Sequence, residues 1–109
     1  MKGMFALKAH EDDNVATVFG NPEEGVDVRV EDSFGISFTV EATQMIPYGH
    51  KIALSAIPEG TDIIKYGEVI GRATADIGRG GHVHVQNVAS LRGRGDIAME
   101  KARGCGYDL

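Results

Sequence analysis

The sequence predicts an all-β domain of short strands, closed into a compact barrel-like or clip-like fold. Three observations carry that expectation. No window of about 11 residues keeps apolar side chains at the i, i+3, i+4, i+7 spacing of an amphipathic helix. Short alternating runs bounded by Gly, Pro, Asn or Asp recur along the chain instead. Glycine makes up 15 of the 109 residues, roughly twice the usual share of about 7%, and glycine is needed mainly where a tight turn takes positive φ.

The expected strands follow in order. The run 4–8 ends at the charged HEDD, and 14–18 stops at GNPEEG, which hands over to 27–30. The run 36–40 leads to IPYGH, and IPYGH with IPEGTD flanks 51–56. The runs 63–66 and 69–73 meet at the KYG turn, and IGRGG precedes 82–88. Pro-x-Gly units stop one strand and redirect the next. Turns every 8 to 12 or so residues argue against βαβ units. The strands make a domain over 1–88, followed by a tail at 89–109.

Hydrophobic residues are 42% and charged residues 25% of the chain, the ordinary globular balance. A net charge of −5 and a pI near 5.2 repel phosphate backbones, so nucleic acid is not an expected partner. No apolar run approaches the 18 or so residues a membrane span needs. The start, MKGMFALKAHEDD, lacks the n-region and h-region of a secretory signal. A single cysteine, Cys105, forms no internal disulfide, and the expected location is the reducing cytoplasm. The tail is glycine-rich and of mixed charge, with a short helix expected around 97–102, and it reads either as a docking arm or as a frayed end.

The stretch GGHVHVQN holds the most specific chemistry. On a strand, residues i and i+2 point to one side about 6.6 Å apart, so His82, His84 and Gln86 share a face and Val83 and Val85 turn inward. Two imidazoles so placed can converge on a divalent ion, but at least a third ligand must come from another loop or chain. The competing reading is an exposed strand face carrying histidines for solubility or cross-strand hydrogen bonds. His10, in HEDD, sits in either a solvated turn or an oxygen-ligand cluster. His50 and Lys51, and Lys65 with Tyr66, lie at strand ends where an ammonium and turn N–H groups favour a carboxylate. Cys105 has no strand to fix it as a nucleophile.

Taken together, HEDDNVATV, IPYGHKIALSAI, IIKYGEVIGRATADI and GGHVHVQNVASLRGRGD resemble the small SAF-type domain, of β-clip architecture, of the altronate dehydratase and galactarate dehydratase family. In that family the module also occurs as a separate small subunit, including that of sulfolactate sulfo-lyase. The resemblance implies part of a lyase that dehydrates an aldonic or aldaric sugar acid with a divalent metal, iron(II) or manganese(II). His82 and His84 would face the metal. His50, Lys51, Lys65, Tyr66 and Asn87 would bind the substrate. Gln86 stands where relatives often carry another histidine, so further ligands would come from the partner. That partner would be a large catalytic dehydratase chain, and a homo-oligomer is compatible with the small size. The rival readings are a stand-alone binding module for a carboxylate or carbohydrate, and the small subunit of a sulfolactate sulfo-lyase.

Overall fold

A computed structural model of the chain describes residues 4–90. The expected helix at 97–102 and Cys105 lie outside the described residues. Within them the protein is all strand: β1 (Met4–Lys8), β2 (Val15–Phe19), β3 (Asp27–Asp32), β4 (Ser37–Glu41), β5 (Lys51–Ala53), β6 (Asp62–Lys65), β7 (Glu68–Ala73), β8 (His82–Val83) and β9 (Val88–Ser90). They form a six-stranded sheet in the order β4-β3-β1-β2-β5-β8 and a three-stranded sheet β6-β7-β9. β1 and β3 run parallel, and every other named pair is antiparallel.

Alternation divides the larger sheet into two apolar faces. Ala6, Ala16, Val18, Val28, Val30, Val40 and Ile52 point to one side and form the first core with Ala42 and Ile46. The other face carries the register row Leu7, Thr17, Lys51, Val83. Its inner part, Val15, Ala53 and Val83, meets Ile63, Ile70, Ala73 and Val88 of the smaller sheet in the second core. With nearly every strand residue of these rows at or near zero exposure, burial of apolar surface is the main stabilising term, roughly 25 cal/mol per Å².

An internal pseudo-two-fold relates β2-β5-β8 to β9-β7-β6. β2 pairs with β5 through Val15↔Ala53 and Thr17↔Lys51, and β9 pairs with β7 through Val88↔Ala73 and Ser90↔Gly71. β8 meets β5 through His82↔Ile52, as β6 meets β7 through Asp62↔Arg72. Ile57 and Ile77 sit at the axis and exchange both backbone hydrogen bonds, 2.7 and 2.8 Å. Gly60 N–H donates to Ala73 and Gly80 N–H to Ala53, each at 2.8 Å. Both glycines have φ near +89 and +88, which glycine reaches at no steric cost.

Two expected strands are corrected. The run 51–56 is a strand only to Ala53, because Leu54 N–H turns to Asn14 O and Ile57 crosses to pair with Ile77. The run 82–88 is broken into β8 and β9 by a turn at 84–87, closed by Asn87 N–H donating to His84 O at 3.1 Å. Val83 is therefore fully buried while Val85, expected inside, is 56% exposed.

Candidate metal centre

His50 is the residue before β5, and His82 opens β8. Extending the Lys51↔Val83 and Ile52↔His82 register outward by one residue sets His50 opposite His84. Directly opposed side chains are the closest neighbours a sheet offers. The rings of His50 and His84 stack at 3.8 Å between centroids, and His50 Nδ1 lies 2.8 Å from His82 Nε2. One ring nitrogen from each of the three falls within 4.8 Å of the other two. The third imidazole thus comes from the loop before β5, a residue that the resemblance set among substrate contacts.

The turn that ends β8 organises the pair. Asn87 donates its amide to His82 O at 2.9 Å and accepts His84 N–H at 3.0 Å. Both ends of its side chain thus bond backbone of the turn, which positions the two histidines. Asn14 makes the same clamp across the pseudo-two-fold, donating to Asp62 O at 2.9 Å and accepting Ile64 N–H at 2.8 Å. In that half, Asp62 and Ile64 stand where His82 and His84 stand in the other.

His82 and His84 both have pKa values below the usual histidine value. For His82 the first cause is desolvation, then His50, then His84; for His84 it is desolvation, then His50, then the Lys51 ammonium. Neutral imidazole is the form that binds a cation. His84 Nδ1 is buried and has no hydrogen-bond partner among the described residues. Two nitrogens bound at right angles to one ion at about 2.1 Å would lie about 3 Å apart, close to the His50–His82 separation. The donor set therefore fits a divalent ion of borderline character, with one adjustment. The rings are parallel to within 16°, so His84 must rotate about its side-chain torsions to aim its lone pair at an ion shared with His50.

Gln86 is a site residue whose part sequence reasoning missed. Its amide nitrogen lies 3.2 Å from His82 Nδ1. With a neutral ring, donation by Gln86 leaves Nε2–H to donate to His50 Nδ1. Ligation through Nε2 requires the other tautomer, which the same amide supports when its oxygen faces Nδ1–H.

The remaining expected site residues separate. Lys51 is 1% exposed, with its side chain on the opposite face of β5 from His82. The enclosed ammonium acts on the site electrostatically, through His84. Lys65 ends β6 and Tyr66 opens the β6–β7 turn, with Lys65 Nζ 4.7 Å from the Tyr66 ring centroid. No hydrogen bond, ion pair or ring contact joins them to the three imidazoles among the described residues. His10 is held elsewhere: its Nδ1 accepts Asp12 N–H at 3.1 Å, and its ring packs so closely on Gly67 that a Cβ there would come within 2.9 Å.

Comparison with known proteins adds a second kind of observation. The altronate/galactarate dehydratase SAF domain family matches residues 4–91. Altronate dehydratase of Escherichia coli strain K12 is 43% identical over 81 residues, which is 74% of this chain and 15% of that enzyme. Galactarate dehydratase (L-threo-forming) of the same organism is 41% identical over 76 residues, 70% of this chain and 13% of the enzyme. The (2R)-sulfolactate sulfo-lyase subunit alpha of Paracoccus pantotrophus is 46% identical over 55 residues, 50% of this chain and 82% of that subunit. The chain thus spans a small fraction of the dehydratases and most of the sulfo-lyase subunit.

Proposed function

The chain belongs to the altronate/galactarate dehydratase SAF domain family, and from that premise we propose that it is the small subunit or domain of a metal-dependent hydro-lyase acting on an aldonic or aldaric sugar acid. The observation that carries the reading is the convergence of three imidazole nitrogens within 4.8 Å. His50, His82 and His84 hold a divalent cation, iron(II) or manganese(II). Bound there, the cation supplies Lewis acidity toward the leaving hydroxyl.

The chain's own residues prepare that site. Asn87 sets the spacing of His82 and His84 through their backbone, the Gln86 amide supports either His82 tautomer, and burial together with the neighbouring His50 favours the neutral form of His82 and His84. The base that removes the α-proton and most of the substrate pocket belong to a large catalytic chain. Support for that division is the matched segment's 15% share of the dehydratase relative. A second reading rests on the 82% coverage of the sulfo-lyase subunit alpha: the same site in an enzyme whose leaving group is sulfite.

The test is manganese(II) titration of the chain, followed by assay with a large dehydratase-type chain. We expect one saturable site that raises the unfolding midpoint, absent in His82→Ala with His84→Ala, and sugar-acid turnover only with the wild-type chain. Turnover that survives the double substitution sinks the reading. Sulfite release from sulfolactate without sugar-acid dehydration favours the second one.

A further inference from the structure

On the face of the large sheet opposite the histidines, the β1 and β2 strands, the end of β3 and the β6–β7 turn line an open cavity of about 370 Å³. We propose that it is a second binding site, for a small organic anion whose carboxylate or phosphate is attached to an apolar or aromatic body. Its volume lies in the range of ligand pockets, about 300–1,000 Å³.

The chemistry follows from the lining. Leu7, Val15 and Phe19 supply apolar surface, and Phe19 is held by stacking on Phe5 at 5.2 Å and by the edge of Tyr48 at 6.1 Å. Lys8 and Lys65 line the same cavity, and neither forms an ion pair among the described residues. The two carboxylates at the rim are engaged by backbone. Asp13 is 5% exposed and accepts Gly67 N–H at 2.8 Å and His10 N–H at 3.0 Å, while Asp32 accepts from Phe34 and Ile36 at 2.9 and 3.0 Å. Those backbone bonds occupy carboxylate oxygens, and Lys8 and Lys65 are the lining side chains with N–H donors to offer an anionic ligand. A sugar acid, hydroxylated along its length, would forfeit the apolar floor, so this site selects a different class from the one proposed at the histidines.

Tyr66 gives an independent sign. It has φ +59 ahead of Gly67 at +75, a pair of left-handed positions that favours Asn-Gly. A tyrosine there costs on the order of 1 kcal/mol or more, yet the residue is 65% exposed, with the Lys65 ammonium 4.7 Å from its ring centroid. The buried Asp13 ties this strained turn to the cavity wall. A large aromatic ring kept in a strained and exposed position is accounted for if it contacts a ligand.

The experiment is titration of the full 109-residue chain with phenyl phosphate, followed by backbone amide shifts, with inorganic phosphate and benzyl alcohol as the charge-only and ring-only probes. We expect saturable shifts at Leu7, Thr17, Tyr66 and Gly67 with His82 and His84 unmoved, and at least tenfold weaker binding of the other two probes. Lys8→Gln with Lys65→Gln should weaken phenyl phosphate at least tenfold while leaving the thermal midpoint within a few degrees. Dispersed or unsaturable shifts, equal binding of benzyl alcohol, or an unaltered double variant overturns the proposal. So does loss of phenyl phosphate binding when a large chain is added, which would make the cavity a protein-docking face. None of these outcomes depends on whether the histidines bind metal.

Discussion

Asn87 and Asn14 make one backbone clamp in the two halves of the molecule, and among the described residues the histidines stand in one half only. That symmetry supplies an internal control. Removing either amide strands a part-buried N–H and C=O, at a cost of about 1–3 kcal/mol. Asn87→Ala should in addition weaken manganese(II) binding by 10-fold or more, the size of effect that residues supporting metal ligands have. Asn14→Ala should match the loss of stability and leave the affinity within about threefold of wild type. Equal affinity losses in a calorimetric titration would mean that Asn87 acts through general stability alone. The pairing of His82 with His84 was legible because i, i+2 spacing is local. His50, 32 positions before His82, was not, since nothing local to it says which strand lies opposite.

At the level of strands and turns, the two equivalent glycines at the pseudo-two-fold have unequal surroundings. A Cβ at Gly60 meets nothing within 4 Å, whereas a Cβ at Gly80 collides with the Glu41 carbonyl. Gly60→Ala therefore bears only the positive-φ penalty, about 1–2 kcal/mol. Gly80→Ala adds a backbone collision immediately before β8, and should be destabilised by roughly 1–3 kcal/mol more with the histidine pair displaced. Similar unfolding midpoints in denaturant for the two variants would contradict this placement. The turn chemistry of IPEGTD and IGRGG was readable from composition. The break within 82–88 was masked, because HVHVQ alternates into the turn and the pattern fails only at Asn87, whose side chain imposes that turn.

The whole molecule feels the histidines through proton linkage. His82 and His84 are held below the unfolded value of 6.5, so between that value and their folded values the unfolded chain binds more protons. Their contribution to stability is fully present above pH 6.5 or so and is lost as pH falls through the lower folded values. The thermal midpoint of the metal-free chain should drop from pH 7.5 to 5.5, and His82→Gln with His84→Gln should flatten that drop. A wild-type profile no steeper than the variant's would show that the rings titrate normally. Metal should oppose the loss near neutrality and release protons below it.

From the sequence alone came the all-β class, most strand positions and the His82–His84 pair, along with the family resemblance. Strand alternation, turn residues and i, i+2 spacing act between near neighbours, so the order of residues expresses them directly. The tertiary structure decided that His50 completes the cluster, that Asn87 serves the backbone, that Lys51 is buried, and that Lys65 and Tyr66 open onto another face. Each of those depends on which strands lie side by side and in what register. Register is set by burying two apolar faces at once, a condition that involves the whole chain and that no single segment carries.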